Sequence, residues 1–154
     1  MAKLVVQHCT SAQLQTGFSE GDSGLDKFVN IERGIVVFIC FTKEANMKTV
    51  DKIMKVLVEG RIVQSNEGKF VSLSEDKSNN LLLVPQATLG GKLKGKSLQY
   101  HNNVKKEYGS ELYEELVARC SLIKDCNVQS GVYGNLQVLE MKTQGPHTHV
   151  FDIV

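Results

Sequence analysis

Three groups of residues in this chain have types and spacings that can do chemistry. The first is Pro85-Gln86-Ala87-Thr88-Leu89, a polar turn that follows the apolar run Leu81-Leu82-Leu83-Val84. Such a run makes a buried strand, and a buried strand can deliver a donor-rich turn to one edge of a molecule. The second is Gly90-Gly91-Lys92-Leu93-Lys94-Gly95-Lys96, a lysine ladder punctuated by glycine. The third lies near the C-terminus, where Gly145-Pro146 precedes His147-Thr148-His149.

Each group admits more than one chemistry. Thr88 has a hydroxyl, but a hydroxyl nucleophile needs a base, and no Ser-His-Asp arrangement is evident. It can equally shape the turn or hydrogen-bond a ligand. The ladder, read through Ser97, matches the phosphate-binding pattern G-x-x-x-x-G-K-[ST]. That loop must open a helix, whereas Leu98 to Val104 has no helical periodicity. A nucleotide-binding loop is therefore the weakest reading. From Lys77 to Lys106 there is no Asp or Glu, so the ladder is either a solvated loop or the electrostatic footprint for a phosphate backbone. His147 and His149, two apart on an expected strand, share a face. A zinc site would need a third ligand from His8, His101 or a cysteine. Nothing in the spacing demands one, and no metal or cofactor is expected.

The elements that must position these groups follow from the apolar periodicity. Strands are expected over Leu4–Cys9, Ser11–Gln15, Ile31–Phe41, Arg61–Ser65, Phe70–Leu73, Val128–Val132, Leu136–Met141 and His147–Val154. Ser11–Gln15 is expected to pair back as a hairpin, and Phe18–Gly24 is expected to be a loop. One helix follows Asn46 as cap and stops at Gly60. A second is expected to be capped by Ser110, with Glu111 and Glu114 in its first turn. The pattern is α+β: a single domain over 1–154, a barrel-like, mostly antiparallel β-sheet with two main helices.

The composition narrows the class further. The chain has 154 residues, 42% hydrophobic, with a net charge of +1, so its basic character is local rather than global. Four cysteines without C-x-x-C spacing suit reduced thiols in an intracellular protein. No stretch is long and apolar enough to span a membrane, and no signal-peptide pattern is evident. A cytoplasmic protein is expected.

Taken together, Pro85-Gln86-Ala87-Thr88-Leu89 and Gly145-Pro146-His147-Thr148 resemble the D-aminoacyl-tRNA deacylase family. That family carries Ser-Gln-Phe-Thr-Leu and Gly-Pro-Val-Thr at these places. The departures, with the ladder, Gln99-Tyr100-His101, Glu111-Leu112-Tyr113 and Tyr133-Gly134-Asn135, are similar to its animal-type branch. The resemblance implies hydrolysis of the ester of mischarged tRNA in translation proofreading, with help from the substrate's own 2′-hydroxyl. It implies a homodimer with active sites at the subunit interface, aminoacyl-tRNA as the partner, and no metal. Gln86, Ala87 and Thr88 would be catalytic, through backbone oxyanion stabilisation. Gly145, Pro146, Thr148 and His8 would meet the substrate, and Lys92, Lys94 and Lys96 would meet tRNA phosphates.

The standard members use a cis Gly-Pro bond fixed by an arginine that here is His8, after Val6-Gln7. A trans Gly145–Pro146 bond is therefore expected, with a roomier pocket that accepts L-alanyl-tRNA(Thr) as well. A non-enzymatic RNA-binding module remains the alternative, although an aromatic content of 6% offers little for stacking bases.

Overall fold

The structure is a computed structural model, and it describes residues 1–18 and 26–154. From residue 19 on, the expected Phe18–Gly24 loop lies outside the described residues. The strands are β1 (Ala2–Cys9), β2 (Ser11–Gly17), β3 (Lys27–Ile31), β4 (Gly34–Phe41), β5 (Val63–Gln64), β6 (Phe70–Val71), β7 (Asn80–Pro85), β8 (Lys92–Lys94), β9 (Ser97–Gln99), β10 (Asn127–Ser130), β11 (Val138–Lys142) and β12 (Thr148–Ile153). The helices are α1 (Met47–Glu59) and α2 (Lys106–Cys120).

Five strands form the central sheet in the order β10-β7-β4-β1-β12. β1 is antiparallel to both β4 and β12, while β4, β7 and β10 are mutually parallel. So β4, β7, β10 and β12 all run one way, against β1 alone. Alternation along the strands separates two cores. Leu4, Val6, Ile35, Val37, Ile39, Leu81 and Leu83 face the helices, joined there by Ile53, Leu57, Leu112 and Leu116. Val36, Leu82 and Val84 face the other way, against Leu14 and Ile31 of the second sheet, β11-β2-β3. A strand covered on both sides must be apolar on both sides, which is why β4 and β7 read as unbroken apolar runs.

The fold class is the α+β arrangement that the sequence predicts, with a mixed central sheet. Three local expectations need correction. Ile31–Phe41 is two strands, because the chain turns at Glu32-Arg33 and β3 leaves for the second sheet. Ser11–Gly17 pairs with β3 and β11 rather than folding back on β1. The second helix begins at Lys106, four residues before Ser110, so Glu107 is the acid in its first turn. Its N-cap is Lys105, which has no side-chain capping bond, so no capping signature marks the start. The first helix behaves as read. The Asn46 side chain accepts from Lys48 N at 2.9 Å, Thr49 closes the capping box, and Gly60 ends the helix.

Candidate active site at the end of strand β7

β7 ends at Pro85, paired with Ile39 of β4, and the next residue stays anchored: Gln86 N donates to Ile39 O at 2.8 Å. The chain then tightens into a 3₁₀ turn over Ala87–Gly90. Leu89 N donates to Gln86 O at 3.2 Å and Gly91 N to Thr88 O at 3.0 Å. Ala87 and Thr88 lead this turn, where N–H groups lack acceptors within the turn. The Gln86 amide donates to Thr88 Oγ1 at 2.5 Å. That bond leaves the hydroxyl proton of Thr88 available to a ligand. It does not activate the hydroxyl, since an amide is no base.

The turn lines a cavity of about 680 Å³. Phe38, Val84 and Leu139 form its apolar wall and Tyr133, Lys106 and Asn135 part of its rim. It opens where the C-terminal ends of β4 and β7 emerge between the two sheets. Lys106, the first residue of α2, therefore brings a cation to the rim. Burial pushes the Tyr133 phenol up, so it remains a neutral donor.

Two residues that sequence reasoning passed over hold the turn in place. Asn103 Nδ2 donates to Ala87 O at 2.9 Å. Cys40 Sγ lies 3.6 Å from both Ala87 O and Asn103 Oδ1. Gly90 permits this approach: a Cβ there would fall 1.8 Å from Asn103 Oδ1. Asn103 belongs to a segment that reads only as irregular. Its one usable signal was a glycine pair, Gly90-Gly91, where the backbone must be approached closely. Burial raises the Cys40 thiol above its ordinary range, so it is a packed thiol rather than a nucleophile.

The Gly145 motif lies elsewhere. It precedes β12, whose start is at the opposite edge of the central sheet from the end of β7. His8 pairs with Ile35 and Pro85 with Ile39. These rows are four residues apart, roughly 13 Å along the strands. A second cleft, about 490 Å³, is lined by His8, Arg33, Gln64, Gln144, Gly145 and His147 and shares no residue with the first. Thr148 donates to Gln7 Oε1. One chain thus brings Gln86, Ala87 and Thr88 together and keeps Gly145, Pro146, Thr148 and His8 apart from them. His8, His147, Phe70 and His149 form a chain of ring contacts 5.6–6.3 Å between centroids. Among the described residues, no three His, Cys, Asp or Glu side chains gather as a metal site would require.

The Gly145–Pro146 bond is cis, which corrects the trans bond expected from the loss of an arginine at His8. That expectation took one side chain for the whole anchor. Here both flanks are tied to β1 without a guanidinium. Thr143 Oγ1 donates to His8 O and accepts from Gln7 Nε2, both at 2.7 Å. On the other side His8 N donates to His147 O at 3.0 Å.

The ladder is a two-stranded hairpin, β8 to β9, with Lys92, Lys94 and Lys96 exposed. Gly95, at φ +61°, leads its two-residue turn, a position glycine fills without steric cost. Ser97 opens strand β9 rather than a helix, so the nucleotide-loop reading fails on geometry.

The buried strand β7 thus ends in a polar turn over a cavity, and the sequences that share this frame are enzymes of the deacylase class. The sequence model described as D-Tyr-tRNA(Tyr) deacylase matches residues 5–152, and this chain belongs to that family. It is 40% identical to D-aminoacyl-tRNA deacylase 2 of Gallus gallus, over 99% of this chain and 95% of that one. The protein of the same name from Homo sapiens is 38% identical, over 98% and 94%. A solved structure titled as a probable eukaryotic D-amino acid tRNA deacylase superposes with a TM-score of 0.84 at 27% identity, covering 99% of each chain. A c-Myc DNA unwinding element binding protein shares the fold, with a TM-score of 0.80 at 23% identity. Among the described residues, no helix is long and apolar enough to cross a membrane.

Proposed function

We propose that this protein hydrolyses the ester joining a D-amino acid to the terminal adenosine of tRNA, as a proofreading step of translation in the cytoplasm. The observation that carries this reading is the 3₁₀ turn at the end of β7. It presents the leading N–H groups of Ala87 and Thr88 beside a cavity of about 680 Å³. An aminoacyl ester is already activated, so oriented donors matter more than a strong nucleophile. Water adds to the ester carbonyl, and the oxyanion that forms takes hydrogen bonds from Ala87 N and Thr88 N. One such donor supplies roughly 2.7–4 kcal/mol. Collapse breaks the ester C–O bond and expels the ribose 3′-oxygen, which takes up the proton lost by the attacking water, relayed through the neighbouring 2′-hydroxyl. Gln86 and the Thr88 hydroxyl hold the substrate.

The pocket is completed by a second copy of the chain. Gly145 and Pro146 lie at the far edge of their own sheet from the turn, which supports a partner supplying them, with Thr148 and His8 behind, as the wall against the amino acid. Lys92, Lys94 and Lys96 meet phosphates of the acceptor end. The extension to L-alanyl-tRNA(Thr) was expected from a trans Gly145–Pro146 bond, and with a cis bond that argument has no footing.

The test is a panel of D-aminoacyl-, L-aminoacyl- and glycyl-tRNAs, L-alanyl-tRNA(Thr) included, each with and without EDTA. Fast release of D-amino acids that survives EDTA supports the reading. Release no faster than in buffer would end it, and loss on chelation that zinc restores would return His147 and His149 as metal ligands.

A further inference from the structure

The second cleft, about 490 Å³, has a lining of one chemical kind. Four separate segments of chain supply it. His8 and Thr10 come from the end of β1 and the corner after it, and Arg33 from the turn between β3 and β4. Gln64, Ser65 and Asn66 come from the β5–β6 hairpin, and Gln144 and His147 from the segment before β12. Gly68 and Gly145 complete the lining with backbone alone. Among the described residues that line it there is no Asp or Glu and no hydrocarbon side chain. A concave surface of donors and cations concentrates anions.

Arg33 is the fixed charge in this cleft. Its Nη1 donates to Gln64 O and its Nη2 to Asp76 Oδ2 at 3.5 Å. These bonds hold the guanidinium in place without exhausting its five donors. Asp76 balances part of that charge from outside the lining. Ser65 Oγ accepts from Lys69 N at 3.2 Å, which leaves its own proton to donate. His8 and His147, with ring centroids 6.3 Å apart, add charge when protonated. Glu67 and Lys69 flank Gly68 in the hairpin turn, and Glu32 precedes Arg33, but none of these three lines the cleft.

We propose that this cleft binds a small phosphate-class oxyanion, held by Arg33, Gln64, Ser65, Asn66, Gln144 and His147. This goes beyond the deacylase reading and does not rest on it, since the cleft shares no residue with the cavity under the β7 turn. The way the donors are supplied selects the ligand. They converge from four segments, which suits a tetrahedral ion with oxygens on every side. A carboxylate has two oxygens in one plane, which a guanidinium fork can satisfy by itself. A nucleobase would call for an aromatic platform, and the lining has no Phe, Tyr or Trp. The recognised chemistry is therefore the phosphate group, either free or on a small polar carrier.

The experiment is calorimetric titration of the full-length protein with sodium sulfate, whose charge is constant near neutral pH, at an ionic strength fixed with chloride. Imidazole NMR signals are followed in parallel. One saturable site is expected, with shifts at His8 and His147 and none at His101, which lies outside the cleft. Binding should tighten as pH falls from about 7.5 to about 5.5, as the two cleft imidazoles gain charge. Arg33→Gln should weaken it about tenfold or more, the loss of a hydrogen bond to a charged group. Because Arg33 also ties Gln64 and Asp76, a second variant is needed that removes no tie. Asn66→Asp sets a carboxylate at an exposed lip and should weaken binding about fivefold. Lys124→Gln, at an exposed position outside the cleft, lowers the net charge by the same single unit and should bind as the wild type does. Inorganic phosphate and ribose 5-phosphate should each displace sulfate, and the tighter of the two tells whether the group is bound free or on a carrier. Heat that does not saturate, equal losses in all three variants, or binding indifferent to Asn66→Asp would overturn the inference. So would displacement of sulfate by equimolar intact tRNA, which would make the cleft part of the path of a nucleic acid.

Discussion

The Asn103 side-chain amide donates to the backbone carbonyl of Ala87 at 2.9 Å, across 16 residues of chain. This bond fixes the peptide plane that begins at the Ala87 carbonyl, and the N–H on that plane belongs to Thr88. In the proposed mechanism, the orientation of Thr88 N as oxyanion donor therefore depends on a residue that need not touch the substrate. Asn103→Ala should lower kcat by about 10- to 100-fold, somewhat less than removal of an oxyanion donor, and leave KM within a few-fold. Asn103→Asp should do no better, because a carboxylate cannot donate to Ala87 O. Steady-state kinetics on D-aminoacyl-tRNA would check both, and a change confined to KM would assign Asn103 to binding instead.

Thr88 is held by the Gln86 amide, and among the described residues no side-chain base hydrogen-bonds to its hydroxyl. A hydroxyl so placed donates to a ligand and does not attack it. Thr88→Ser should keep most of the activity. Thr88→Val should lose roughly 1.5–3 kcal/mol, the worth of a hydrogen bond to a charged group. Intact-protein mass spectrometry during turnover should show no aminoacyl adduct, and an ester on Thr88 would make it the nucleophile after all.

How much of this site was legible follows from how local each part is. The Leu81–Val84 run announces a strand covered on both faces, and the polar turn after it announces an edge. Both signals lie within ten residues. Asn103 was not legible, because its role exists only once β4 and the 3₁₀ turn are side by side. The separation of Gly145 from Thr88 came only with the resemblance, whose homodimer puts the active sites at the subunit interface; the direction of β12 relative to β7, on which it depends, is encoded by no local pattern. The cis bond was misread for a related reason. One missing arginine was visible in sequence, whereas the Thr143 and His147 ties to β1 were not.

Tyr113 links the helix layer to the strands that carry the site. Its hydroxyl donates to Gly131 O at 2.8 Å and lies 3.2 Å from Leu83 O, and burial pushes its phenol well above the ordinary range. Tyr113→Phe keeps the packing and removes the donor. Leu83 O keeps its bond from Gly131 N at 2.8 Å, so the lost group is chiefly the partner of Gly131 O. The expected cost is about 1–2 kcal/mol, or a fall in Tm of roughly 2–8 °C at this chain length. Calorimetry would measure it. An unchanged Tm would mean that Gly131 O finds another partner.

His8 gives the molecule an acid-side weakness with a defined sign. The side chain is buried, 5% exposed, and its Nδ1 has no hydrogen-bond partner among the described residues. Burial first, and then the positive charge available on His147 and on Arg33, lowers its pKa below the ordinary 6.5. Arg33 is itself paired with Asp76 at 3.5 Å, and the His147 ring stands edge-on to His8 with 6.3 Å between centroids. A folded-state pKa below the unfolded one means that the unfolded chain binds the proton more readily. Stability is therefore full above about pH 6.5 and falls as pH drops from there toward the folded pKa. Below that lower value the loss is complete and flat. His8→Gln removes the titration while keeping a polar group of similar reach. Urea midpoints taken from about pH 8 to about pH 5 should show the wild type losing more stability than the variant across this window. Parallel curves would mean that His8 does not titrate differently in the folded chain. A wild type that gains on the variant as pH falls would mean that it is held protonated, against the sign derived from its burial.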